Sequence, residues 1–149
     1  MPTFTNESDP LEVMKNLLED NWVVFEDIPK PANILVANDP NDPISRVNLN
    51  KGDYVIIRAE AQETIRGRGN YHYYDRIYQV SIEFATKESR QRLRNINRAI
   101  KAIIWDNIHN FAGYQFIRPL AYVEMMEENL NIWKGKMTIE LISQAVPIE

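Results

Sequence analysis

At Thr86 the apolar spacing of this chain changes from two to three and four, and that change restricts its fold more than any other feature. Before it, Tyr78, Val80, Ile82 and Phe84 alternate with Gln79, Ser81 and Glu83, the pattern of a strand with one buried and one wetter face. After it, Leu93, Ile96, Ile100, Ile103, Ile104 and Ile108 recur at helical spacing and make one apolar stripe. A helix is expected over 87–109, capped by Thr86 with Ser89 at its third position.

That helix carries a second stripe. At 100° per residue, Arg90, Arg94, Arg98 and Lys101 line up beside the apolar residues, and Trp105 extends the line by one turn. An exposed Trp calls for a cover, supplied by a partner or by the segment after Gly113. A helix that packs with one side and offers charge and an aromatic ring with another reads as a contact surface.

Asp9-Pro10-Leu11-Glu12 reads as a helix start, with Asp9 as cap and Pro10 where a missing N–H costs nothing. Leu11, Met14, Leu17 and Leu18 form its apolar side, and it is expected to stop near Asp20. Trp22 to Phe25 reads as a short extended segment, Ile34-Leu35-Val36 as a short strand, and Asn38 to Pro43 as a turn region with two Asp-Pro pairs. Residues 22–50 as a whole read as a Pro-, Asn- and Asp-rich arm or loop. A strand is expected over Asp53–Glu60, then a long basic hairpin loop over 61–75 that holds Arg66-Gly67-Arg68-Gly69. After the long helix come a short strand at Ala121–Met125, a turn at Glu127-Glu128-Asn129, and a strand over Ile132–Ile142. In that last strand Trp133, Gly135, Met137, Ile139 and Leu141 share one face. The order predicts one α+β domain over 1–149: a mainly antiparallel sheet with two helices packed on one face.

With 149 residues, 44% of them hydrophobic, the chain can bury a core of its own. It has no Cys, so disulfide and thiolate chemistry are closed to it. No apolar run approaches the length of a membrane span, and the start lacks the regions of a signal peptide, so a cytoplasmic setting without membrane association is expected. The net charge of -4 hides a division. Residues 1–45 carry nine acids against two bases, whereas residues 46–101 carry twelve bases against six acids. Separate acidic and basic territories suit a chain that meets copies of itself or a complementary protein.

Catalytic patterns are sparse. His72, beside Asp75 in an aromatic cluster, is an imaginable general base or metal ligand but reads more simply as a strand-edge or loop residue. His109 reads as a helix C-terminal residue. Neither His has metal-ligand spacing, no nucleophile elbow exists, and the Arg-Gly run lacks the phosphate-loop pattern. Glu124, Glu127 and Glu128 read as a solvated edge. No catalytic, cofactor or metal residue is therefore expected. Arg66, Arg68, Asn70 and His72 read as a partner-contact loop, either touching a phosphate backbone or inserting into a neighbouring subunit.

The layout carried by Pro10–Asp20, Asp53–Arg58, Tyr78–Phe84, the helix at 87–109 and Trp133–Leu141 resembles the tail terminator, or tail completion, proteins of tailed bacteriophages and related viruses. The likeness is one of element order and strand texture over most of the chain. It implies a non-enzymatic virion protein of the tail or neck, assembled in the host cytoplasm as a homo-oligomeric ring of about six subunits. Such a ring caps the tail tube at its head-proximal end. Its partners would be the tail tube protein and the head-tail connector, with transient, non-specific contact to passing DNA. On this expectation Glu12, Glu19 and Asp20 of one subunit approach Arg90, Arg94, Arg98, Lys101 and Trp105 of the next. Three other readings compete: a head-closure or minor tail protein, a nucleic-acid module using the 66–101 patch, and a small enzyme around His72 and Asp75.

Overall fold

The computed structural model describes residues 9–22, 27–37, 52–59, 64–67, 73–107, 109–111, 114–127, 132–143 and 146–147. In chain order these form α1 (Pro10–Asn21), β1 (Asn33–Val36), β2 (Tyr54–Ala59), β3 (Thr64–Gly67), β4 (Tyr73–Thr86), α2 (Arg90–Asp106), β5 (His109–Phe111), β6 (Tyr114–Glu127), β7 (Ile132–Ser143) and β8 (Val146–Pro147). One sheet runs β1-β2-β4-β7-β6-β5, with β3 and β8 also paired to β4. The β1–β2 pair is parallel and the others are antiparallel.

Both helices lie on one face of this sheet, as the periodicity predicts. Helix α1 covers β1, β2 and β4, and α2 covers β4, β7 and β6. The core between the layers joins Val13, Met14, Leu17 and Leu18 of α1 and Leu93, Ile96, Ile100, Ile103 and Ile104 of α2 to inward-facing strand residues. Those include Val55, Ile57, Val80, Ile82, Phe84, Met137, Ile139 and Leu141. Trp22 closes the end of α1, its side chain buried and its indole N–H donated to the carbonyl of Ile28 at 3.1 Å.

The α1 start is as expected: the Asp9 carboxylate accepts the Leu11 N–H at 3.0 Å, with Pro10 in the first turn. The start of α2 is not. Its cap is Ser89, whose hydroxyl accepts the Arg92 N–H at 3.0 Å. Thr86 is still part of β4, paired with Trp133, and its hydroxyl accepts the Glu88 N–H instead. With the Thr86 hydroxyl taken up by the Glu88 N–H, the helix begins three positions on, at the Ser89 cap. The helix also stops earlier than expected, at Asp106 with Asn107 as cap, and His109 opens strand β5 opposite Phe116. The helical stripe ends at Ile104; Ile108 lies outside the described residues.

Three strand expectations need correction. The hairpin loop over 61–75 contains a strand, since Thr64–Gly67 pairs with β4 and Tyr73–Asp75 belongs to β4 itself. Gly67 is tolerated because it ends the strand, where pairing is least demanding. The short strand at Ala121–Met125 is part of β6, which spans Tyr114–Glu127 despite Pro119. A bulge between Pro119 and Ala121 absorbs the proline, with Leu120 as the extra residue. Ser81 is buried although it points to the face away from the helices; its cross-strand neighbours there are Arg58 and Thr138. That face also holds a small apolar cluster of Tyr54, Ile56, Ala85 and Ile132. The Asn38–Pro43 turn and most of the 22–50 arm lie outside the described residues.

Two glycines are required by position. Gly52, just before β2, has φ 140°, and a Cβ there would stand 2.6 Å from the Cβ of Ala32. Gly135 of β7 lies under the rings of Phe84 and Tyr122, from which a Cβ would be less than 3 Å away. Those two rings close over the glycine, stacked with centroids 5.9 Å apart.

Candidate functional site

The basic stripe of α2 runs along the side of the helix that overhangs β6. Arg90, Arg94 and Arg98 are exposed, and Trp105 is 58% exposed. The segment after Gly113 therefore borders this Trp without covering it. Lys101 is half-buried because it lies over the Tyr122 ring, its Nζ 5.7 Å from the centroid.

Beneath the stripe, β6 presents Tyr122 and Glu124 toward the helix. Glu124 accepts from Arg90 Nε at 2.8 Å and from the Tyr122 hydroxyl at 3.1 Å, and Arg94 Nε lies 3.7 Å from the same carboxylate. Glu124 is therefore a fixed counter-charge, not the solvated edge residue that its neighbourhood of acids predicts. The hydrogen bond from Arg90 is the main reason its carboxyl is held below the usual carboxylate range; its partial burial works against the shift, and Tyr122 and Arg94 assist it. Burial pushes the Tyr122 phenol up to about 12, helped by its hydrogen bond to Glu124 and by the negative charge there. This grouping leaves Arg98 and the outer part of Arg94 turned to solvent beside Trp105.

At the C-terminal end of the stripe, Lys101 and Trp105 face Pro119, Leu120, Ala121 and Tyr122 across an open cleft of about 310 Å³ floored by Met137. Leu120 at the cleft and Met126 farther along the helix side of β6 are exposed apolar residues, and Val123 is exposed on the opposite face of the sheet. Such a surface suits protein contact.

A second cluster escaped the sequence reading altogether. Arg92, on the opposite side of α2, is buried and donates from Nε to Asp53 at 2.7 Å and from Nη2 to the carbonyl of Pro29, also at 2.7 Å. It ties the start of α2 to the segment between the first helix and β2. The charge of Arg92 falls within the apolar arc of the helix, which was the one signal available for it.

On α1, Glu12 and Asp20 are exposed and Glu19 is half-exposed. These acids sit over the β1 half of the sheet and the basic stripe over the β6 half, so the structure keeps them in one layer but apart. Arg66 lies in β3 opposite Asp75; Arg68, Asn70 and His72 lie outside the described residues. Among the described residues, Arg66 and the basic stripe of α2 do not gather into one patch. From Asp75 to Thr86 strand β4 spans roughly 36 Å, which separates the Arg66 end of the hairpin from the start of α2.

Among the described residues no group of three or more His, Cys, Asp or Glu is placed to hold a metal ion, and no helix is long and apolar enough to cross a membrane. No protein-family model matches the sequence, and no curated protein matches it. Among solved structures, the chain is similar to one in the virion of a native gene transfer agent particle. The two share 10% of their residues at a TM-score of 0.50, over 95% of this chain and 87% of the other. At that identity the likeness is one of fold: an α+β architecture with a mostly antiparallel sheet and two helices on one face.

Proposed function

We propose that this chain is a non-enzymatic structural protein of a phage-like particle. In this reading it forms a ring, of about six copies, that caps the tail tube at its head-proximal end and offers the surface to which the head joins. The observation that carries the reading is the shared fold, over nearly the whole chain, with a component of a gene transfer agent virion. The charge layout supports it. A closed ring needs two different faces of one subunit to match, and here acids over one half of the sheet and bases over the other provide them. The tail tube protein and the connector are the partners in this reading, and DNA would pass the ring with weak, sequence-independent contact. A head-closure protein of the same neck would use the same features.

A nucleic-acid module has less support, because Arg90 and Arg94 are drawn onto Glu124 and lie far along β4 from Arg66.

Native mass spectrometry over a range of concentrations, with negative-stain images of the same samples, tests the reading. Closed rings with an open centre are the expected result. Arg94→Glu combined with Arg98→Glu should leave a folded monomer that no longer closes rings. Unchanged ring formation by that variant would exclude the charge pairing.

A further inference from the structure

Beyond its bulge, strand β6 is paired on one side only. Strand β7 accompanies it to Glu127, whereas β5 reaches it only at Tyr114 and Phe116. Among the described residues its other edge is therefore open from Ile117 onward. Open edges are normally blunted by charge, proline or a bulge. Here the bulge and Pro119 lie at the beginning, and the stretch after them offers Ala121, Val123 and Met126 to solvent. The charge of Glu124 is already engaged by Arg90. At the far end of the sheet, β1 is paired, among the described residues, only by β2, and carries exposed Leu35.

We propose that the β6 edge of one copy of this chain pairs with the β1 edge of the next, so that the sheet continues from subunit to subunit. The inference rests on the self-assembly part of the function proposed above and specifies how the copies meet. Three features of the fold favour β1 of a second copy as the occupant. Following the pairings across the sheet, β1 runs antiparallel to β6, so copies related by rotation about an axis along the strands bring the two edges together antiparallel.

Face matching is the second feature. Ile34 and Val36 point to the helix side, as do Tyr122 and Glu124, while Leu35 and Val123 point to the other. Setting Leu35 opposite Val123 therefore matches every side-chain direction.

The third is the helix layer. Within one copy, α1 over β1 and β2 and α2 centred on β7 touch each other about two and a half strand spacings apart, roughly 12 Å. Across the new junction, α2 of one copy and α1 of the next are separated by the same number of strands. The helices then follow one another at an even pitch, and Arg94 and Arg98 come within side-chain reach of the acids on α1. The cleft beside Trp105 lies on the helix side of the same edge and is narrowed by the incoming strand.

The absence of Cys makes a direct test simple. A Leu35→Cys, Val123→Cys double variant, treated with a short thiol-to-thiol cross-linker, should give a ladder of covalent multimers in a denaturing gel. Either single variant should give none beyond the dimer. Val123→Lys places a charge on the open edge and should lower the assembled fraction about tenfold or more, with an unchanged circular dichroism spectrum. Rings that form without the ladder, or that tolerate Val123→Lys, would overturn edge pairing while leaving the ring reading intact. A ladder on open filaments would support edge pairing and count against the closed ring. A folded chain that remains monomeric and uncross-linked at high concentration would overturn edge pairing.

Discussion

Arg92 shows how much a single side chain contributes to this fold. Its guanidinium joins Asp53 and the Pro29 carbonyl under the first turns of α2, where little water reaches it. Replacing it by Met keeps much of the packing volume but strands the Asp53 carboxylate. Arg92→Met should therefore cost about 3 kcal/mol, read from the denaturant midpoint. Glu124 acts differently, through protonation. Its folded pKa lies below the unfolded one, so its contribution is complete above the ordinary carboxylate range and is lost as pH falls through the folded value. Glu124→Gln should flatten that part of the acid limb of the stability profile. The Tyr122 phenol has the opposite sign: folding favours its neutral form, fully below pH 10.0 and no longer above about 12. A spectroscopic titration of phenolate should show a late step at about 12, and Tyr122→Phe should remove it.

At the scale of the element, β7 has the most exacting position. It lies between β4 and β6, and its Gly135 leaves the space that the Phe84 and Tyr122 rings fill. A methyl group there meets both rings at less than 3 Å. Gly135→Ala should therefore destabilise the protein by about 1–3 kcal/mol in thermal unfolding, despite the better strand propensity of Ala. The helices are easier to read because each depends on local signals. Asp9 and Pro10 mark the start of α1 as the spacing predicts. Ser89 rather than Thr86 caps α2, because the strand runs on to Thr86 opposite Trp133 and the Thr86 hydroxyl accepts the Glu88 N–H in the turn that follows. Long β6 is harder to foresee, since a proline inside a strand argues for an end, and only a bulge against β7 turns it into a continuation.

At the scale of the whole molecule, the sheet separates two charges. The acids of α1 lie over β1 and β2, and the bases of α2 over β7 and β6. A chain built in this way has unlike ends, as the head-to-tail ring proposed above requires. If the two charged faces meet, reversing both should restore what reversing one removes. Glu12→Arg with Glu19→Arg, added to Arg94→Glu and Arg98→Glu, should recover rings in native mass spectra at low ionic strength. Recovery should weaken as salt is raised, because exposed pairs are screened.

The amino-acid sequence by itself determined the types of the main elements α1, α2, β2, β4 and β7, the side each turns to the core and the two-layer architecture. Those follow from period, and period is a local property: alternation at Tyr78–Phe84 and helical spacing at Leu93–Ile104 specify burial without reference to any partner. It also placed the basic stripe on α2, since residues four apart share a side wherever the helix packs. The tertiary structure decided which groups meet. Arg92 finds Asp53 across 39 positions and Arg90 finds Glu124 across 34. Both pairings depend on sheet order and on how each helix is turned above it, which spacing along the chain does not encode. The open edge of β6 has the same origin, because whether a strand has one neighbour or two is a property of the assembled sheet.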